Sequence, residues 1–504
     1  MGSTPRDMNV KSALGAALPF LPKKFQWLLQ HCPVFPINGA QVRVLRDPSE
    51  FYAELLLKAS RASERISMSS LYLGTGKLEE NLVSTMLERA SRCENLCIHW
   101  LLDFTRGSRG THNSRTMLMP LLTKFPRTCS VSLYHTPDLR GLWKWILPQR
   151  WNEIIGLQHM KLYVFDNSLV ISGANLSNDY FTNRQDRFVA IDNCPELAEF
   201  YHRLIGVVSK FSLCLQNDNS TTMLQDVEVH PFLTDYSKYC SAVKSAVEKL
   251  WREECSKNEA RLQMLSSETN GNHKSIGTTA SPSQGPDKSN TSPLDTLVFP
   301  TVEMGPFGVI NDSLITNNLF TSAERGAKIQ LASGYFNLTE EYKKCILEKS
   351  ESDYGILMAH PKANGFLGAN GVSGGIPAAY TLIAKRFFEK IYCGKHEERI
   401  ALFEYERPLW TFHGKGLWYY QPGASLPCLT MIGSPNFGRR SVHRDLESQV
   451  VIVTGNTGLQ SVLHQEQQYL YSSASLVTRQ TFSHPDRLVP LWVRFVIPIV
   501  KLFM

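Results

Sequence analysis

The feature that most constrains this chain is a pattern written twice. His159-Met160-Lys161 is followed by Asp166, by Ser172-Gly173-Ala174-Asn175 and by Asp186. His413-Gly414-Lys415 is followed by Gly433-Ser434-Pro435-Asn436 and by Glu447. In both copies eleven positions separate the asparagine from the acid. A lone His-x-Lys is common and usually marks an exposed strand edge. Two copies with the same companions point to an internal repeat whose units work as a pair.

The flanking sequence repeats as well. Ala62-Ser63-Glu64-Arg65 leads into the apolar run Ile66 to Leu71 and then Tyr72, and Ser322-Ala323-Glu324-Arg325 leads into Ala327 to Ser333 and then Tyr335. Helical patterns follow at Leu78 to Ala90 and Thr339 to Leu347. Further strand patterns lie at Leu96 to Phe104 and Val131 to His135, and at Gly355 to Ala359 and Ile400 to Glu404. Strands alternating with helices predict an α/β layered fold in each half. Ser266 to Pro293 is rich in Ser, Thr, Asn, Gly and Pro and reads as a disordered linker. The expected division has five parts: an N-terminal targeting or membrane-proximal segment 1–40, a first half 41–255, a helix end and linker 256–295, a second half 296–476, and an amphipathic membrane-interface tail 477–504.

The residue types suit phosphorus chemistry. On a strand, residues two apart share a face at a spacing of about 6.6 Å, so His159 is expected beside Lys161 and His413 beside Lys415. A hairpin through Asp166-Asn167-Ser168 would bring Asn175 beside His159. A neutral imidazole can attack phosphorus or carry a proton near neutral pH. Lysine offers a point charge to phosphate oxygens, and asparagine adds hydrogen bonds. A carboxylate on an imidazole nitrogen sets its tautomer. Together they serve phosphoryl transfer without a metal or other cofactor. Two weaker candidates for phosphate binding are the basic loop with Arg106, Arg109 and Arg115, and Gly74-Thr75-Gly76 at a strand-to-helix junction. A solvated loop and a plain connector are the competing readings.

The paired motif resembles that of the phospholipase D superfamily, His-x-Lys-x4-Asp twice with one active site between two similar halves. The resemblance covers nearly all of residues 41–476. It implies an α/β fold of two similar α/β/α halves packed as a pseudo-dimer around one active site. By position His159, Lys161 and Asp166 match in full; His413 and Lys415 match, with Tyr420 where the second acid would stand. The resemblance implies that one histidine forms a covalent intermediate and the other protonates the leaving group. His159 is taken as nucleophile and His413 as acid and base, with the reverse left open. It also implies that Glu447 orients His159 and Asp186 orients His413, with Asn175 and Asn436 on the phosphate.

Several stretches are further similar to the eukaryotic mitochondrial phosphatidylglycerophosphate synthases, a branch of that superfamily. They are Ser70 to Gly76, Leu102 to Gly110, Ser172 to Leu176, Tyr180 to Arg187, Ile432 to Phe437 and Ser441 to Glu447. This implies CDP-diacylglycerol and sn-glycerol 3-phosphate as substrates, with phosphatidylglycerophosphate and CMP as products. The step leads to phosphatidylglycerol and cardiolipin, at the matrix side of the mitochondrial inner membrane. A hydrolase or nuclease of the same superfamily is the alternative.

Composition agrees. A net charge of +7 over 504 residues suits phosphate-bearing ligands, and no nucleic-acid partner is expected. The eleven cysteines hold no Cys-x-x-Cys pair and read as reduced, with no zinc site. No apolar run reaches the roughly 20 residues that span a bilayer. Arg6, Lys11, Lys23 and Lys24 give the N-terminus a weak targeting character. The mixed aromatic and basic stretches Trp143 to Trp151 and Leu491 to Met504 suit a membrane surface, or helices packed on the core. Gly365, Gly368, Gly371, Gly374 and Gly375 mark a loop that could be a lid or a linker.

Overall fold

The structure, a computed structural model, describes residues 20–141, 155–263, 294–369 and 374–500. The proposed linker, the Trp143 to Trp151 stretch, Gly371 and the first nineteen residues lie outside the described residues.

Two sheets repeat one strand order. The first runs Val42–Leu45, Phe188–Ile191, Ser168–Ser172, Leu162–Phe165, Arg65–Ser69, Cys97–Asp103, Cys129–Tyr134, Leu213–Leu215 and Thr221–Thr222. The second follows the first eight places with Thr296–Met304, Leu446–Thr454, Pro427–Gly433, Lys415–Tyr420, Lys328–Ser333, Asp353–Ala359, Ile400–Tyr405 and Ala474–Leu476. Arg65–Ser69 and Lys328–Ser333 hold matching places, each parallel to its α/β neighbour and antiparallel to the strand that follows a His-x-Lys.

Side-chain alternation explains how the halves pack. Leu162 and Val164 enter a central core together with Ile432, Val450 and Ile452 from the second half. Tyr163 and Phe165 point the other way, into the outer core of the first half. Met431, Val451 and Val453 likewise fill the outer core of the second. Strands covered on both faces read as unbroken apolar runs. Each fully buried aliphatic side chain contributes about 1.5–3 kcal/mol. The helices Pro195–Lys210, Tyr236–Cys255 and Thr457–Ser472 add buried residues such as Phe200, Val243 and Leu463 to the central core.

The N-terminal end of the described chain departs from expectation. Residues 20–40 are not a free leader. Leu21, Phe25 and Leu28 are buried in the second half's outer core, and Phe35–Ile37 adds an edge strand beside Thr296–Met304. Burying these apolar side chains ties the segment to the fold, which leaves the targeting expectation to residues 1–19. At the other end, Leu491–Val500 is a helix with Val493 and Ile497 buried, while Leu491 and Phe495 are exposed. Trp492 lies against Gly375, where a side chain larger than hydrogen would collide with its ring.

Candidate active site

The halves are stitched together twice, and each stitch builds half a site. Gln158 bridges to Leu446: the His159 amide donates to the Leu446 carbonyl at 2.8 Å, and the Leu446 amide donates to Leu157 at 2.8 Å. In the mirror arrangement Thr411–Phe412 pairs with Arg184–Gln185, and the His413 amide donates to the Gln185 carbonyl at 2.7 Å. Each histidine therefore stands one residue across from the other half's acid. His159 Nδ1 meets Glu447 Oε2 at 2.9 Å, and His413 Nδ1 meets Asp186 Oδ2 at 2.6 Å. Gln158 anchors the first stitch by donating to Ser69 Oγ and the Ser70 carbonyl, while its amide donates to Asp103.

The histidines lie just outside the regular strands, which begin at Leu162 and Lys415. Alternation along one strand therefore does not set their position; the cross-half bonds do. The lysine ammoniums fold back instead: Lys161 Nζ donates to the His159 carbonyl and Lys415 Nζ to the His413 carbonyl, both at 2.7 Å. Gly173 lies under Asp186 and Lys415, and a Cβ there would come within 2.8 Å of the carboxylate and 2.9 Å of the ammonium.

Burial governs the proton affinities. Desolvation, then Lys161, holds the His159 imidazole well below its usual range, and desolvation, then Lys415, does the same to His413. Burial lifts Asp186 to about 6 against the pull of Lys415, and Glu447 to about 7 against Lys161. Burial also lowers Lys415 to about 8. His159 in turn opposes protonation of His413, so the two rings share one electrostatic site. Both imidazoles are then neutral at neutral pH and able to attack. A phosphodiester anion bound between them would raise the proton affinity of both rings.

Asn175 is turned toward the His413 side: its amide donates to the Tyr180 hydroxyl at 3.1 Å, and that hydroxyl lies 3.3 Å from His413 Nε2. The Oδ1 atoms of Asn175 and Asn436 are buried without a hydrogen-bond partner among the described residues. Flipping either amide would place its NH₂ at that position instead.

Asp166, Arg115 and the Gly74-Thr75-Gly76 loop are not brought into this centre. Asp166, at the far end of Leu162–Phe165 and with φ of 47°, accepts from the amides of Ser63, Glu64 and Arg65. It caps a hairpin and touches neither histidine. Gly74 and Gly76 lie against the Glu79 carboxylate, which accepts from the Asn178 amide at 2.6 Å. A carboxylate fills the loop of Gly74-Thr75-Gly76 and would repel phosphate, so that candidate is withdrawn. Arg115 is held by Asn219, and Arg106 stacks on the Tyr72 ring at 4.0 Å. Arg109 is half-buried on the same loop. Sequence reasoning overlooked Tyr180, Tyr335, Arg184 and Asp445. The rings of Tyr180 and Tyr335 both lie edge-on to His413, with centroids 5.1 and 5.2 Å away. The signal available for Arg184 and Asp445 was their place two residues before each acid.

Two matching α/β halves that each lend a His-x-Lys and orient the other's imidazole define an enzyme of the phospholipase D type. No protein-family model matches the chain. It is 47% identical over 488 residues to the mitochondrial CDP-diacylglycerol–glycerol-3-phosphate 3-phosphatidyltransferase of Gallus gallus, covering 95% of this chain and 86% of the relative. It is 47% identical over 486 residues to the Homo sapiens enzyme of the same name, with the same coverage. The fold matches the crystal structure of phosphatidylserine synthase from Haemophilus influenzae with a TM-score of 0.68 and 16% identity, over 96% of this chain and 99% of that one. The chain belongs to the family of CDP-diacylglycerol–glycerol-3-phosphate 3-phosphatidyltransferases.

Proposed function

We propose that the chain moves the phosphatidyl group of CDP-diacylglycerol to sn-glycerol 3-phosphate in two steps through His159. In the first, the His159 Nε2 lone pair attacks the lipid-bearing phosphorus. The bond from that phosphorus to the bridging oxygen breaks, the electron pair stays on the oxygen, and His413 Nε2 supplies the proton that completes CMP. In the second, a glycerol 3-phosphate hydroxyl gives its proton to His413 and attacks the same phosphorus. The phosphorus–nitrogen bond breaks, its electron pair returns to His159, and phosphatidylglycerophosphate leaves. Lys161 and Lys415 neutralise the oxygens in both steps, and Asn175 and Asn436 hydrogen-bond them.

One observation carries this reading: two carboxylate–imidazole pairs, each made across the halves, meet in a single buried site. The ring nitrogens support this division of roles. Among the described residues the hydrogen bonds of the His159 ring are confined to Nδ1, which leaves Nε2 open for attack. His413 Nε2 already faces the Tyr180 hydroxyl, as suits a proton carrier.

The test is a quench in alkaline detergent of enzyme given CDP-diacylglycerol labelled with ³²P at the lipid phosphate, without acceptor. Wild type and His413→Ala should carry an acid-labile, base-stable lipid label, and His159→Ala none. Label on His159→Ala but not on His413→Ala would reverse the roles. No label on any form, with transfer intact, would end the two-step scheme. Adding glycerol 3-phosphate should yield phosphatidylglycerophosphate; phosphatidic acid alone would favour a hydrolase.

The same reading places the chain at the matrix face of the mitochondrial inner membrane as a peripheral protein. Among the described residues no helix is long and apolar enough to cross a membrane. Leu488, Leu491 and Phe495, exposed at 75%, 70% and 79%, offer an apolar edge that a bilayer surface would cover.

A further inference from the structure

The two ends of the centre share an ion pair whose signs are exchanged. Arg184 and Asp445 stand at matching places, two residues before Asp186 and Glu447. Their partners stand five residues earlier: Arg184 pairs with Asp179 at 3.0 Å, and Asp445 with Arg440 at 3.1 Å. The inward member differs. Near His159 it is the acid: Asp445 is 4% exposed, accepts from the Leu157 amide at 3.0 Å, and lies within 4.8 Å of the His159 and Glu447 ligand atoms. Near His413 it is the base: Arg184 is 14% exposed while Asp179 is 56% exposed.

From this we infer that Arg184 is the seat of a phosphate monoester that enters or leaves beside His413. The backbone sets its place, because Arg184 pairs with Thr411, two residues from His413, and its Nε donates to Thr411 Oγ1 at 3.0 Å. Its guanidinium lies 4.7 Å from the Tyr180 ring centroid, on the ring whose hydroxyl meets His413. A Cβ on Gly365 would come within 3.0 Å of Arg184 Nη2 and 2.9 Å of the Tyr335 hydroxyl, so these two groups converge on one spot kept open by glycine.

A planar guanidinium with an exposed partner binds a phosphate dianion well, since the dianion can displace Asp179 and take a two-pronged contact. The inference rests on His413 being the acid and base. Two ligands bring a phosphate monoester to that side: the acceptor, whose phosphate lies beyond its attacking hydroxyl, and departing CMP.

The test is steady-state kinetics of the full chain with Arg184→Gln, Arg184→Lys and Asp179→Asn. Arg184→Gln should raise KM for glycerol 3-phosphate or weaken CMP inhibition by about 10–100-fold, exceeding its effect on kcat, with Arg184→Lys between it and wild type. Asp179→Asn, which frees the guanidinium, should shift the same constant the opposite way, a change that misfolding does not mimic. A shift in the glycerol 3-phosphate constant identifies the acceptor phosphate, and a shift in CMP inhibition identifies the nucleotide phosphate. The inference is overturned if both constants stay within twofold of wild type in Arg184→Gln. Acid-labile label on the wild-type enzyme is read separately, so losing the two-step scheme and losing this site give different results.

Discussion

The first half's hairpin after its His-x-Lys turns in two residues, and Asp166 ties that turn to three amides of the 63–65 corner. The second half's hairpin runs Lys415–Tyr420 into Pro427–Gly433 by a longer loop. There Tyr420 stays in the strand opposite Lys328, and its hydroxyl meets His464 and Gln467. The two halves thus solve the same corner differently while holding their histidines in the same way. The difference teaches that the motif's third position serves the turn. The acids that face the imidazoles come from across the interface.

The comparison breaks most readily at those acids. Asp186→Asn and Glu447→Gln should each lower kcat by about 10²–10⁴-fold, since the imidazole loses its tautomer and support. Glu447→Gln should also slow formation of the labelled lipid intermediate, while Asp186→Asn should slow CMP release and acceptor attack. Rapid-quench kinetics separates these, and identical profiles would mean that the two ends are interchangeable.

A smaller effect is expected at the corner. Asp166→Asn should cost about 1–3 kcal/mol of stability by weakening its hydrogen bonds to the 63–65 amides, read as a fall of a few degrees in Tm. The backbone amides of Arg65, Glu64 and Ser63 outweigh desolvation and hold the Asp166 carboxyl below its ordinary 3.8. Its contribution is therefore present above that value and lost as the pH falls through the lower folded value. A thousandfold loss of kcat with Tm unchanged would instead put Asp166 in the centre.

The last expected effect is one of pH dependence and concerns Glu303, which pairs directly across the ladder from Glu447. Burial, then Asp312, lifts Glu303 to about 9 from an ordinary 4.5. The folded chain keeps a proton that the unfolded chain releases, so this group makes stability fall as pH climbs from 4.5 to about 9. Glu303→Gln should flatten that slope in thermal melts. An unchanged slope would mean that Glu303 is ionised in the fold.

Much of this was legible beforehand because it is local. The strand at Ile400–Tyr405 and the helix at Lys77–Arg92 agree with their apolar periodicity to within a few residues. The pairing of histidine with the opposite acid was available only through resemblance. Tyr180 and Tyr335 carried no local signal of a role. The Gly74-Thr75-Gly76 loop misled because the carboxylate that fills it, Glu79, looks in sequence like an ordinary first-turn helix acid.

By itself the sequence determined the repeat, the strands and which side chains could handle phosphorus, since periodicity and residue chemistry act over a few neighbours. Only the tertiary structure decided which acid meets which imidazole and which charge points inward at each end. Those choices come from ladders joining residues more than 200 positions apart, 158 to 446 and 184 to 411. No spacing along one segment encodes a hydrogen bond made to another.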